Sequence, residues 1–243
     1  MSIIEKSDEN IRGMVLEYLA EKKRQNPRYR VIDVGGGANP WCDKYVDAYV
    51  DMYPFKTDKQ LFLGDINMQP VWEAIGREKF DFSICTHTLE DIWNPVYVIG
   101  KLVSLTGAGF ISMPNKHSEM SCVESVYWIG YCHHRWVFSI SENDVLRIFP
   151  KLPLTSYFSV AHRLAHFLGA LDSGLISGLM RKIKRMPVAS GIKWVKKEKT
   201  IPGKELGFIW EGGFKYEFAN GGSIGRNVFE AARLYTDELE NGI

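Results

Sequence analysis

Val31-Ile32-Asp33-Val34-Gly35-Gly36-Gly37-Ala38-Asn39-Pro40 is the stretch that decides the fold of this chain. Arg30 to Val34 is a short β-branched run, and it stops at three glycines. That pattern describes a buried strand followed by a sharp turn. Glycine has no Cβ, so backbone N–H groups in such a turn can approach a polar ligand closely. In an open α/β sheet, ligands sit beyond the carboxyl ends of the strands, near the point where the strand order reverses. Glycines also make ordinary turns, so the sequence around the loop has to carry the rest.

Working outward, further strand and helix signals alternate. Tyr45 to Asp51 reads as a strand with an acidic end, and Leu61 to Asp65 as a shorter one. Val71 to Ile75 suggests a brief helix. Phe80 to Cys85 is another strand, running into Thr86-His-Thr-Leu-Glu-Asp91. Asn94-Pro95 opens a helix that continues to Leu105, with Gly107 and Gly109 closing it. Phe110 to Met113 is a strand broken by Pro114. Before the loop, Ile4, Ile11, Met14, Val15, Tyr18 and Leu19 recur at helical spacing and predict one amphipathic helix, ended by Asn26-Pro27. Strands alternating with helices imply an α/β protein with a doubly wound, mostly parallel sheet.

After Pro114 the pattern changes. Residues 115–137 are rich in His, Tyr, Trp and Cys. Ser141 reads as a helix N-cap followed by Val145, Leu146, Ile148 and Phe149. Ser156 to Val160 reads as a strand and 162–185 as a helix. Gly207 to Phe218 holds strand material around Gly212-Gly213, and Asn227 to Leu239 a closing amphipathic helix. The expected organisation is a single domain over 1–243, with a helical and basic insertion at 161–200 before the last strand.

Composition sets bounds. At 243 residues and 45% hydrophobic content, the chain can bury a substantial core. Lys and Arg total 30 against 29 Asp and Glu, so global charge gives no argument for nucleic acid. Cys42, Cys85, Cys122 and Cys132 form no CxxC pair and fit no zinc template, so reduced thiols and no metal centre are expected. The charged N-terminus and the lack of a membrane-length apolar run point to a cytoplasmic protein.

The acids at the strand ends strengthen the loop. Asp51 stands where a carboxylate accepts hydrogen bonds from ribose hydroxyls, and Asp65 where one accepts from an adenine amino group. At this point the sequence resembles class I S-adenosyl-L-methionine-dependent methyltransferases, in particular the methyltransferase-11-like small-molecule and glycan group. The resemblance lies in Val31 to Pro40, Val50-Asp51-Met52, Gly64-Asp65-Ile66, Phe80 to Pro95 and Phe110 to Asn115, and it covers about residues 30–150. Asp33-Val-Gly-Gly-Gly37 keeps both key glycines of the family loop, whereas Asp91 stands where many relatives have His.

The resemblance implies a Rossmann-like, seven-stranded sheet and S-adenosyl-L-methionine as cofactor. It also implies roles. Gly35, Gly36 and Gly37 face the methionine part, and Asp33 reaches the ammonium through water. Asp51 holds the ribose, Met52 packs on adenine, and Asp65 and Ile66 bind the adenine edge. Thr86 and His87 line the floor near the sulfonium, with a purely structural role the alternative for His87.

Methyl transfer from a sulfonium is an in-line displacement, served by alignment and, for a hydroxyl acceptor, by a base. Histidine suits that task near neutral pH. His117, His133 and His134 are the candidates. Tyr131, Arg135 and Trp136 lie in the same aromatic segment and suit binding of a sugar or a flat, anionic metabolite; a packed lid is the alternative. His133, His134, Glu124 and Asp91 form a minority metal hypothesis without template spacing. The Lys- and Arg-rich stretch 181–199 is either a solvated surface or a contact for an anionic, lipid-linked acceptor or a membrane surface. The expected activity is O-methylation of a sugar hydroxyl or other small metabolite. The alternatives are an RNA or protein methyltransferase, or a cofactor-binding module without catalysis.

Overall fold

In the computed structural model of the chain the described residues are 2–7, 10–37, 41–119, 130–141, 143–151 and 205–218. Contacts divide the chain into two compact units, Met1–Met113 with Glu205–Lys215, and Pro114–Lys204 with Tyr216–Ile243.

The first unit is built on a seven-stranded sheet. Its strands are β1 (Ser2–Ser7), β2 (Val31–Val34), β3 (Ala48–Asp51), β4 (Gln60–Leu63), β5 (Phe82–Thr86), β6 (Ala108–Pro114) and β9 (Glu205–Glu211), in the order β1-β9-β6-β5-β2-β3-β4. The β4-β3-β2-β5-β6 stretch is parallel at every junction, and β1 pairs antiparallel with β9. Every residue of β2, β5 and β6 is buried, as expected of central parallel strands covered on both faces.

Three helices of this unit lie among the described residues. In α1 (Ile11–Gln25), Ile11, Met14, Val15 and Leu19 form the buried stripe. The short α2 (Gln69–Ile75) follows β4. In α3 (Pro95–Leu105), the Asn94 side chain accepts the Tyr97 N–H at 3.0 Å and Pro95 occupies the first turn, so the helix starts where the sequence predicts.

The strand order explains where a ligand goes. From β2 the chain runs out through β3 to β4, then returns to β5 on the other side of β2 and continues to β6. The order reverses between β2 and β5, and the carboxyl ends of those two strands lead into Gly35 and His87. This is the 3-2-1-4-5 order of doubly wound nucleotide folds, with its crevice at the reversal.

The N-terminus corrects the expected helix. Ile4 lies on β1 rather than on the helical stripe, which starts at Ile11. Pairing with β9 overrides the helical spacing of a single isoleucine. The strand expected from Tyr45 starts at Ala48, because Cys42 to Val46 is turn, with the Tyr45 N–H donating to the Cys42 carbonyl.

In the second unit, α4 (Lys116–Glu119) precedes β7 (Trp136–Ile140) and β8 (Val145–Pro150). With β10 (Lys215–Phe218) they form a three-stranded sheet ordered β10-β8-β7. The expected helix after Ser141 is instead β8, paired antiparallel with β7 from Trp136↔Pro150 to Ile140↔Leu146. Ser141 does cap, but it caps a turn: its Oγ accepts the Val145 N–H at 3.2 Å, and Asp144 adopts φ 57°. The expected strand at 156–160, helix at 162–185, insertion at 161–200, basic stretch at 181–199 and closing helix at 227–239 all lie outside the described residues. Among the described residues, no helix is long and apolar enough to cross a membrane.

Candidate functional site

The glycine turn after β2 is shaped by left-handed backbone. Gly35 has φ 81° and Gly37 φ 63°, a region that favours glycine. The Gly35 N–H donates to the Val50 carbonyl at 2.8 Å, which ties the turn to β3. A Cβ on Gly35 would fall 2.4 Å from the Thr88 methyl, so the turn also depends on the loop after β5. A Cβ on Gly37 would point at the Asp51 carboxylate, 3.8 Å away. The turn and the acid are therefore neighbours. Asp33, on β2, is fully buried and accepts a hydrogen bond from the Cys42 thiol at 3.6 Å. Burial, then the negative charge of Asp33, pushes the Cys42 thiol up, so it is a neutral donor. Cys42, Cys85 and Cys132 are thiols that take part in no disulfide.

Two more strand ends supply acids. Asp51 Oδ1 accepts the Tyr53 N–H at 2.9 Å, and the Asp51 carbonyl accepts the Gly64 N–H at 2.9 Å, which brings the ends of β3 and β4 together. Asp65 Oδ1 accepts both the Asn67 N–H and its side-chain amide at 2.8 Å. Met52 is exposed beside Asp51, and the Ile66 side chain is in the core. These partners fix the two carboxylates as acceptors at one edge of the crevice.

At the reversal point lies a cavity of about 120 Å³ lined by Arg12, Gly35, Gly36, Trp41, Thr86, His87 and Ser112. Ligand pockets commonly run to ~300–1,000 Å³, so this cavity is smaller than a complete small-molecule site. His87 stands in the left-handed region at φ 48°, a strain that a non-glycine residue keeps where its surroundings demand it. Its Nε2 meets Glu205 on β9 at 2.8 Å, and its Nδ1 lies 3.3 Å from Glu90, which is 1% exposed. Burial works to lower the His87 pKa, but the hydrogen bonds to Glu205 and then Glu90 outweigh it and raise it to about 9. The hydrogen bond from His87 in turn holds Glu205 low. At neutral pH His87 is a cation in the cavity wall.

Of the sequence-predicted residues, the structure brings together Gly35, Gly36, Thr86 and His87 in the cavity, and sets Gly37 beside Asp51. Arg12, Trp41 and Ser112 were missed, as was Glu205. Trp41 directly follows the glycine loop, which was an available signal. Arg12 reaches the cavity, and Glu205 reaches His87 in its wall, only through the packing of α1 and β9 around the sheet, which no local motif encodes.

The acceptor-side candidates belong to the second unit. His134 is buried, its Nδ1 is 2.5 Å from Glu119 Oε1, and its ring packs on Tyr131 with centroids 4.5 Å apart. Lys151 Nζ donates to Glu119 Oε2 at 2.7 Å and to the Tyr131 carbonyl at 2.6 Å. His133 and Arg135 are exposed, and the Trp136 ring lies tilted against Phe218, with centroids 5.7 Å apart. His117 is in α4, and its side chain, like Glu124, lies outside the described residues.

No family model matches the chain, and neither does any curated protein. Solved structures do. One is the N-terminal domain of EvdMO1 with SAH bound, at 11% identity and TM-score 0.32 over 52% of this chain and 58% of that one. A second is the methyltransferase domain of bacterial CtHen1, at 14% and 0.33 over 44% and 69%. A third is a possible histamine N-methyltransferase from Thermotoga maritima, described as SAM-dependent, at 14% and 0.31 over 46% and 56%. The matched part thus spans less than two thirds of the first and third relatives. At these scores the likeness assigns no activity. The sheet itself identifies the architecture: a mostly parallel, doubly wound Rossmann-like α/β fold with a glycine cradle at its switch point.

Proposed function

We propose that this crevice binds S-adenosyl-L-methionine and that the chain is a methyltransferase. The observation that carries the proposal is the adjacency of the left-handed Gly35–Gly37 turn and the Asp51 carboxylate at the switch point. The residues present fit the cofactor. The glycine turn leaves backbone open where a side chain would collide with Thr88. Asp51 and Asp65 are carboxylates at successive strand ends, suited to accept from ribose hydroxyls and an adenine amino group. Met52 offers exposed apolar surface beside them for a base to pack on. Thr86 and Ser112 place hydroxyls in the cavity wall. Asp33, fully buried on β2 two residues before Gly35, is proposed to reach the ammonium through water.

When bound, the cofactor supplies a methyl group already activated on a sulfonium. What the chain contributes is alignment and exclusion of water. For the acceptor we propose a hydroxyl of a sugar or another small metabolite, with His134 as the base and His133 and His117 as the other candidates. His134 is favoured because Glu119 fixes its ring through Nδ1, the arrangement by which a carboxylate orients a catalytic imidazole. Tyr131, Arg135 and Trp136 are proposed to contact the acceptor.

Titration calorimetry with S-adenosylmethionine, S-adenosylhomocysteine and NAD tests the cofactor. The expected result is micromolar-range binding of the first two and none of NAD. Preference for NAD, or binding of none, overturns the proposal.

A further inference from the structure

The crevice has two electrostatic ends. On the β3–β4 edge it carries Asp51 and Asp65, which repel an anionic group. On the opposite edge, the cavity wall holds Arg12 from α1 and His87 from the loop after β5. A ligand with a hydroxyl-rich half and a carboxylate-bearing half is therefore oriented by charge alone.

The two basic side chains are not equivalent. His87 Nε2 lies 2.8 Å from Glu205 Oε1. Arg12 Nη2 lies 3.8 Å from that same oxygen, beyond hydrogen-bond distance. Glu205 thus hydrogen-bonds His87 and pairs with Arg12 by charge without a hydrogen bond, which leaves the forked N–H donors of the Arg12 guanidinium for another acceptor. Its side chain is 56% exposed, and the guanidinium carbon sits 5.8 Å over the Trp41 ring, a second cavity residue. A planar fork beside a glycine turn is suited to a planar carboxylate, which it can hold through two parallel hydrogen bonds.

Resting on the cofactor reading, we propose that Arg12 is the residue that captures the carboxylate of the ligand's amino-acid end, with Trp41 holding its guanidinium in place. His87, pinned by Glu90 and Glu205, forms the positive wall on the same side. Asp51 and Asp65 take the nucleoside, and the ligand lies across the switch point in one direction only.

The test compares two ligands by calorimetry: S-adenosylhomocysteine, and its analogue lacking only the carboxylate, 5′-(3-aminopropylthio)-5′-deoxyadenosine. Wild type is expected to bind the carboxylate form about 10-fold or more tightly, the scale of a charge-assisted pair. Arg12→Gln is expected to erase that preference while leaving affinity for the analogue within about 2-fold of wild type; Arg12→Lys retains part of it, lacking the fork. Equal loss for both ligands in Arg12→Gln, or no preference in wild type, overturns the Arg12 assignment and leaves the cofactor reading standing. Failure of wild type to bind S-adenosylhomocysteine overturns both.

Discussion

A single hydrogen atom in place of a methyl decides whether the turn after β2 can exist. Gly35→Ala puts a Cβ 2.4 Å from the Thr88 methyl at a φ of 81°. We expect a loss of on the order of 1–3 kcal/mol in urea unfolding together with weakened cofactor binding. Wild-type stability would mean the turn is not held as described. Asp51→Ala should weaken S-adenosylhomocysteine binding by about 10-fold or more, from loss of charge-assisted hydrogen bonds; calorimetry reads it directly. His87 titrates near 9, above the ~6.5 of an unfolded histidine. Its pairs with Glu205 and Glu90 therefore contribute fully below pH ~6.5, and the contribution is lost as pH rises through about 9. The stability difference between wild type and His87→Gln should narrow over that window, and a histidine NMR titration should place the midpoint near 9. At this scale the sequence marked Gly35, Asp51 and Thr86 by residue type and strand-end position; Gly35 and Thr86 line the cavity, and Asp51 lies beside Gly37. It was silent on Arg12, whose place in the cavity wall depends on where α1 packs.

At the scale of elements, the outcome turned on which pairing each segment finds. Asn94-Pro95 specifies its helix locally, and α3 begins there. Val145, Leu146, Ile148 and Phe149 fit a helical stripe as well as a strand. Antiparallel pairing with Trp136–Ile140 selects the strand, a non-local contact that spacing cannot reveal. Ile4 was misread for the same reason, its partner strand being β9. The end of this hairpin is fixed by a buried charge cluster. Lys151, 3% exposed at its side chain, bonds Glu119, 1% exposed, and Glu119 bonds His134. Lys151→Met leaves the Glu119 carboxylate buried without its cation and should cost about 3–5 kcal/mol in urea unfolding. Adding Glu119→Leu should recover most of that loss. A single mutant as stable as wild type would show that the cluster carries no net weight.

At the scale of the whole molecule, the switch point organises the first unit. The sheet order sends the chain out to β4 and back to β5, so the ends of β2, β3 and β5 open on one crevice. The apolar runs around Val31, Phe82 and Phe110 made that sheet legible, because central parallel strands are buried on both faces. The acceptor side was less legible, since an aromatic, His-rich segment serves packing and binding equally well. The central claim is that the crevice holds S-adenosyl-L-methionine. The most direct measurement is a crystal structure of the chain grown with S-adenosylhomocysteine. We expect the ligand along Gly35–Gly37, with its ribose hydroxyls on Asp51 and its carboxylate toward Arg12. Density for the ligand elsewhere, or an empty crevice at saturating concentration, would contradict it.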